Sequence, residues 1–247
     1  MRTVIFKNPP ITEALLDIRV TLTSDFDVSN FEKFYKAIRS EFPNKQTNTR
    51  WETAFQLKKG EKPVVTSKDS TNGFLYKTSD GGKIVQARVD GFTFNKLKPY
   101  SNWDTFNKEA RKLWELYVNI TKPVNITRVA LRYINLVEIP LPIKDFKDYF
   151  LTGPEVAPGL PQGLSEFFIR LVVPDPATHN VAIITETVDQ SKLNEKILPL
   201  IFDIDVFRLM NITADDKRLW EIFESLRMYK DKVFMSSFTD KAKELFE

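Results

Sequence analysis

Residues 74–97 read FLYKTSDGGKIVQARVDGFTFNKL, and this stretch decides the fold class. Its runs of aromatic and β-branched residues are separated by Asp80-Gly81-Gly82 and by Asp90-Gly91. Asp-Gly between such runs indicates a hairpin, because tight two-residue turns need residues that tolerate a positive φ. The stretch therefore predicts a three-stranded antiparallel meander.

The chain before the meander supplies a strand and a helix. Residues 11–20 alternate between apolar and mixed positions, which indicates a strand with one buried face. A capping-box pattern that begins at Ser29 precedes apolar residues at helical spacing, and Pro43 ends that pattern. We expect a further strand at 51–57 and an exposed polar excursion at 58–73.

Similar patterns continue from the meander to the end of the chain. They predict strands at 125–139, 165–173, 181–188 and 200–208, and helices at 101–122, near 146–150, at 219–233 and from 237 onward.

These elements predict an α+β fold. Helices with apolar stripes must bury them on a sheet face, so we expect a curved, mostly antiparallel sheet or open barrel of about eight strands with helices packed on one side. The chain is predicted to form a single globular domain, 1–247. Residues 1–122 and 123–247 both read strand, helix, meander, helix, which indicates two pseudo-repeats at the level of element order.

The composition indicates an ordered protein. Hydrophobic residues make up 42% of the 247 residues and phenylalanine occurs 20 times, an aromatic content that disordered segments lack. The formal charge of +3 is too small to favour a nucleic-acid partner. No apolar run approaches the length of a membrane span, and the N-terminus lacks a signal-peptide pattern. With no cysteine in the chain, this predicts a cytoplasmic protein without a membrane partner.

The familiar catalytic and cofactor motifs are missing from the sequence. His179 is the only histidine and lies in a turn sequence, so zinc and histidine-rich iron sites lack their usual ligands. The eight glycines form neither a P-loop nor a dinucleotide-binding pattern, and no G-x-S-x-G is present. We therefore expect no cofactor and leave open only a divalent metal held by carboxylates.

Charged residues recur inside the predicted strands. Arg128 and Arg132 share one face of the long strand because they are four residues apart. One interpretation is a solvent-exposed face on which opposite charges pair across strands. The other is a curved face forming a groove or tunnel that binds an anionic ligand and a divalent metal. For the second interpretation the candidate ligand-binding residues are Glu13, Asp17, Arg19, Arg88, Arg128, Arg132 and Asn135.

The order of secondary-structure elements is compatible with that of triphosphate tunnel enzymes, by analogy of fold alone. Those enzymes begin with an E-x-E-x-K strand, whereas here Glu13 and Asp17 are four residues apart and the basic partner is Arg19. The carboxylate spacing for a metal is thus not reproduced. If the first and the long strand are neighbours, Glu13 is expected to pair with Arg132 in a bridge that fixes the fold. If they are not, these residues are expected to line a site.

Three stretches carry a family resemblance. NPPITEAL at 8–15, RVALRYIN at 128–135 and FTDKAKELF at 238–246 resemble the opening, the central strand and the closing helix of a sporadically distributed bacterial family of unknown function. Ala130 stands where glycine is usual in that family. The resemblance implies no catalytic residues, since the family has none assigned. Its scattered occurrence implies genes that move horizontally, as defence and toxin-antitoxin components do.

We therefore expect a non-enzymatic interaction or ligand-binding protein of a mobile or defence-linked bacterial operon. Its partner would be the protein of a neighbouring gene or an anionic small molecule, and a homodimer is allowed. The first alternative is a metal-dependent enzyme acting on a nucleotide or polyphosphate in a charged tunnel. The second alternative is a single-stranded nucleic-acid binder, for which affinity would fall steeply with salt.

Overall fold

The computed structural model describes residues 6–56 and 64–247. Within these ranges nine antiparallel strands form one open sheet, and four α-helices lie against one of its faces. The strands are β1 Ile11–Thr21, β2 Asn44–Gln56, β3 Val64–Lys77, β4 Lys83–Arg88, β5 Gly91–Leu97, β6 Asn125–Pro140, β7 Phe168–Asp175, β8 Asn180–Val188 and β9 Ile197–Ile212. The helices are α1 Phe31–Ile38, α2 Trp103–Thr121, α3 Arg218–Ser237 and α4 Asp240–Lys243, with 3-10 turns at Val28–Asn30, Phe146–Asp148 and Glu244–Phe246.

The sheet has the strand order β2-β3-β4-β5-β1-β6-β9-β8-β7. The predicted α+β fold, with its antiparallel sheet and helices on one side, is confirmed, and the sheet is open rather than closed into a barrel. β1 and β6 pair at the centre, while β2 and β7 are the two edges. The division into pseudo-repeats stays a prediction.

The third strand begins inside the segment where we predicted a polar excursion, ten residues before the first strand of the predicted meander. Residues 57–63 of that segment lie outside the described residues, but from Val64 onward the chain forms β3. β3 pairs with β2 over the whole length of both strands, from Gln56 opposite Val64 to Asn44 opposite Lys77. The prediction was wrong here because backbone pairing stabilises a hairpin of polar residues that carries little apolar periodicity.

The helix-covered face carries the core. On β1, Ala14, Leu16 and Ile18 are fully buried, as their alternation predicts. Tyr117 of α2 packs against Phe92 and donates its hydroxyl hydrogen to the carbonyl oxygen of Arg88 at 2.8 Å. The helices thus leave the other face of the sheet uncovered. None of the helices in the described part of the chain is long and apolar enough to cross a membrane.

The three stretches that carry the family resemblance lie next to one another. β1 and β6 are paired, with Leu15 opposite Arg132. Asn8 reaches the last residues of the chain, because its backbone N–H donates to the carbonyl oxygen of Phe246 at 2.9 Å and its side chain donates to that of Glu247 at 2.7 Å. A role in holding the fold together accounts for these contacts.

Candidate functional site

The uncovered face brings together most of the charged residues that the sequence singled out. They come from β1, β4 and β6 and meet acidic residues of β9 and of the β4–β5 turn. We call this set the charged network, and its members are Asp17, Arg19, Arg88, Asp90, Arg128, Arg132, Asp203 and Asp205.

Asp17 is the centre of the charged network. It is only 6% exposed although no helix covers it. One carboxylate oxygen accepts hydrogen bonds from Arg88 at 3.0 Å and from Thr93 at 2.7 Å, and the other accepts one from Arg19 at 3.0 Å. Arg128 lies 3.5 Å from that second oxygen. The long arginine side chains around this short carboxylate are what exclude water from it.

A second carboxylate completes the pairing of Arg88. The buried Arg88 donates from Nε to Asp90 at 3.0 Å, and Arg19 donates to the other oxygen of Asp90 at 2.8 Å. Partial burial raises the pKa of Asp90, but the neighbouring guanidinium groups outweigh that effect and hold the pKa below its usual value. Asp90 is therefore ionised at neutral pH and offsets the charge of Arg19 and Arg88.

The β6–β9 side of the network contains a bidentate pair. Arg132 donates to the two oxygens of Asp203 at 2.9 and 2.6 Å, in the fork geometry that arginine favours. Arg128 lies 3.3 Å from Asp205. Burial raises the pKa of Asp205, and one of its oxygens is buried without a hydrogen-bond partner.

The expected bridge between Glu13 and Arg132 is not formed, and that expectation was wrong. The β1–β6 register places Ile134 opposite Glu13, which instead accepts a hydrogen bond from Asn95. The register between β6 and β9 places Asp205 directly opposite Arg132, but Arg132 pairs with Asp203, the diagonal neighbour two residues away on the same face.

Asn135 is not part of the uncovered face. It is buried on the helix-covered side, where its amide donates to the carbonyl oxygen of Phe202 at 2.9 Å. The three-residue separation from Arg132 already implies opposite faces of a strand. Of the candidate ligand-binding residues, the structure therefore brings together all except Asn135, with Glu13 at the margin.

The pairing limits what the network can do chemically. Each of its four arginines contacts a carboxylate, which offsets the positive charge of the guanidinium and weakens its attraction for a free anion. Among the described side chains of residues 6–50 and 69–247, no group of three or more histidine, cysteine, aspartate or glutamate residues could hold a metal ion. His179 is exposed in the β7–β8 turn with a φ of 59°. The contacts of the charged network are therefore those of ion pairs between strands.

The uncovered face of β9, β8 and β7 is apolar instead. Leu209 is 71% exposed and Val172 is 53% exposed. The register places Val172 opposite Ile183, and Val181 opposite Phe207. We call Val172, Val181, Ile183, Phe207 and Leu209 the apolar patch. It was not among the sequence predictions, although Ile183-Ile184 and Val172-Val173 show that both faces of these strands are apolar.

The apolar patch borders the charged network directly. The guanidinium group of Arg128 stacks over the ring of Phe207 at 4.6 Å. Arg132 keeps 43% of its side chain exposed after pairing with Asp203. The boundary between the two regions thus presents guanidinium groups to solvent.

Glu186 is an unpaired carboxyl group on the helix-covered face. It is 1% exposed, lies between Phe202 of β9 and Ile169 of β7, and neither of its oxygens has a hydrogen-bond partner. Burial raises the pKa of Glu186 to about 7. The sequence identified this residue only as one of several charges in strands.

No family model and no curated protein matches this chain. The resemblance to the sporadically distributed bacterial family therefore stays a prediction.

Proposed function

We propose that this chain is a non-enzymatic, cytoplasmic interaction protein that binds a partner protein through the apolar patch. The observation that carries the proposal is an uncovered sheet face on which Val172 and Leu209 are more than half exposed. An antiparallel sheet with one face in water normally alternates apolar and polar residues, and β7 and β8 depart from that rule. Contiguous exposed apolar surface rimmed by polar groups is typical of protein interaction sites.

The arginines that border the apolar patch indicate the chemistry of the partner. Arg128 and Arg132 stand along one side of the apolar patch, and the guanidinium of Arg132 remains partly exposed. A complementary surface would place apolar side chains over Leu209 and carboxylates or carbonyl groups towards the arginines. We therefore propose a protein with an apolar centre and an acidic margin, rather than a free anionic small molecule.

The resemblance to the bacterial family supports a genetic setting for this partner. It favours a protein encoded by a neighbouring gene of a mobile or defence-linked operon. No cofactor is part of the proposal, since the charged network pairs its carboxylates with arginines rather than leaving them as metal ligands.

The test compares two substitutions of exposed apolar residues. The tagged wild-type chain, Leu209→Asp and Met228→Asp are each incubated with a lysate of the host, and captured proteins are quantified by mass spectrometry. Met228 is the matched control, because it is 62% exposed on α3, away from the apolar patch. We expect a stoichiometric protein that the wild type and Met228→Asp retain and Leu209→Asp loses.

The binding is then reproduced with the purified partner. A protein that all three chains retain equally would contradict the proposal. So would a phosphorylated small molecule or a nucleic acid bound equally well by Leu209→Asp, and salt-dependent capture would identify the latter.

A further inference from the structure

The two edges of the sheet differ in how they are protected. Edge strands expose unpaired backbone groups, and natural proteins block them with charged or polar residues. The described side chains of β2 follow this rule, since Asn44 to Arg50 are all polar and mostly exposed. β7 does not follow it. Phe168 and Val172 are exposed on its uncovered face, and Leu171 and Val173 are exposed on its helix-covered face.

On the helix-covered side, α3 stops short of β7. Tyr229 of α3 donates a hydrogen bond to the carbonyl oxygen of Val173 at 3.0 Å, and beyond it a cleft of about 350 Å³ lies between α3 and β7. Val173, Ile184 and Val233 form its apolar lining. An apolar side chain from a strand added next to β7 would reach the mouth of this cleft.

We propose that β7 pairs with β7 of a second copy of this chain, antiparallel, about a two-fold axis at Leu171. An axis perpendicular to the sheet keeps the helices of both copies on the same side, so opposed residues must belong to the same face. With Leu171 opposite itself, Ile169 lies opposite Val173 of the second copy, and Arg170 lies opposite Val172. Ile169 of each copy then sits beside the cleft of the other.

The residue pairs that this register places opposite each other favour it. Phe168 lies opposite Pro174 of the second copy, so every directly opposed pair is apolar except those of Arg170. An axis at Arg170 would instead place two guanidinium groups against each other, which is destabilising. Pro174, which lacks a backbone N–H, lies one residue before the end of β7. Of the six residues before it, every second one directs its N–H to the open edge and keeps a donor for a partner strand.

The size of the contact sets the expected affinity. The seven paired residues, 168–174, span about 23 Å, and such a contact falls short of the roughly 800 Å² per partner of a stable interface. The dimer is therefore expected to dissociate within the micromolar range. It uses the edge of the sheet and leaves Leu209 accessible, so it is compatible with partner binding at the apolar patch but independent of it.

The first measurement is sedimentation velocity over a dilution series, from about 1 to about 200 µM. We expect the wild type to shift with concentration from 28.7 kDa to twice that mass. Leu171→Lys places two ammonium groups at the axis and should weaken the dimer at least tenfold with unchanged melting. Met228→Lys and Leu209→Asp should dimerise as the wild type does.

The second measurement uses the absence of cysteine from the chain. Leu171→Cys introduces a single thiol at the axis, where the Cα atoms of directly opposed residues are about 4.5 to 5.5 Å apart, a separation that a disulfide can bridge. Mild oxidation should link this variant into dimers, whereas Thr47→Cys on the β2 edge should not form them. A wild type that stays monomeric throughout, dimers unaffected by Leu171→Lys, or equal linking of both cysteine variants would overturn the proposal. A monomer that captures a different protein through β7 would overturn it too.

Discussion

The two halves of the uncovered sheet face differ in polarity and in how far their side chains are exposed to water. Around β1 and β4, ionised side chains cover one another, and Asp17 is almost fully buried by its arginine partners. Around β7 and β9, apolar side chains such as Leu209 stand in solvent. The first half therefore needs no further partner, whereas the second half gains free energy when another surface covers it.

Because of this difference, we expect substitutions in the charged half to change stability and substitutions in the apolar half to change binding. Buried charged groups are costly when one partner is removed, because the other is left unpaired in a low-dielectric environment. Exposed apolar groups contribute little to folding, since they are hydrated in both the folded and the unfolded chain. The two halves should thus respond differently to substitution.

The largest effect is expected at Asp17. Asp17→Ala leaves the buried Arg88 without one of its two carboxylates, and we expect the free energy of unfolding to fall by about 3 to 5 kcal/mol. Urea denaturation at pH 7 measures this. Glu155→Ala, at an exposed pair with Lys147, is the control and should leave the urea midpoint unchanged. A loss at Asp17 no larger than at Glu155 would show that the charged network does not hold the fold.

The next effect concerns Glu186 and pH. Its folded-state pKa of about 7 lies above the ordinary value of 4.5, so the folded protein binds the proton more tightly than the unfolded chain. Stability contributed by the protonated form is complete below pH 4.5 and is lost as the pH rises to 7. Glu186→Gln should remove this loss and raise the free energy of unfolding at pH 8 by up to about 3 kcal/mol.

The measurement is a pair of denaturation curves at pH 8 and at pH 4.5. The advantage of Glu186→Gln should be largest at pH 8 and should shrink towards pH 4.5. The reverse dependence, or an advantage that does not change with pH, would show that the carboxyl group has a partner in solution.

A smaller effect is expected at Arg132. Its pair with Asp203 is bidentate but lies partly in solvent, so we expect Arg132→Ala to cost about 1 kcal/mol. A loss as large as that of Asp17→Ala would mean that the β6–β9 side of the network is as buried in solution as its centre. High salt should weaken the wild type more than Arg132→Ala.

The smallest effect on stability is expected in the apolar patch. Leu209→Ser and Val172→Ser should each change the free energy of unfolding by less than about 0.5 kcal/mol, because both side chains are more than half exposed. A substantial destabilisation of either variant in thermal melts would mean that this surface is already covered in the isolated protein.

The sequence predicts which face of a strand the charged residues occupy, but not which residues they pair with. The alternation in 11–20 correctly placed Asp17 and Arg19 opposite the core, and the spacing of Arg128 and Arg132 placed both on one face. Partners could not be assigned, because they depend on the register between strands distant in the chain, as the pairing of Arg132 with Asp203 shows.

Part of the apolar patch could be predicted from the sequence. Ile183-Ile184 shows that both faces of β8 are apolar, but that pattern also fits a strand covered on both sides. Only the placement of all four helices on one face leaves Ile183 and Leu209 uncovered. Only the end of β3, from residue 74, was predicted, because backbone hydrogen bonding rather than apolar periodicity defines residues 64–73.

The most direct test of the account compares one substitution in each half of the uncovered face. Capture from a host lysate is quantified for the wild type, for Leu209→Asp in the apolar patch and for Arg19→Ala in the charged network, whose side chain is 42% exposed. We predict that the partner protein bound by the wild type is retained by Arg19→Ala and lost by Leu209→Asp. Loss with Arg19→Ala and retention with Leu209→Asp would place the binding surface on the charged half and contradict the account.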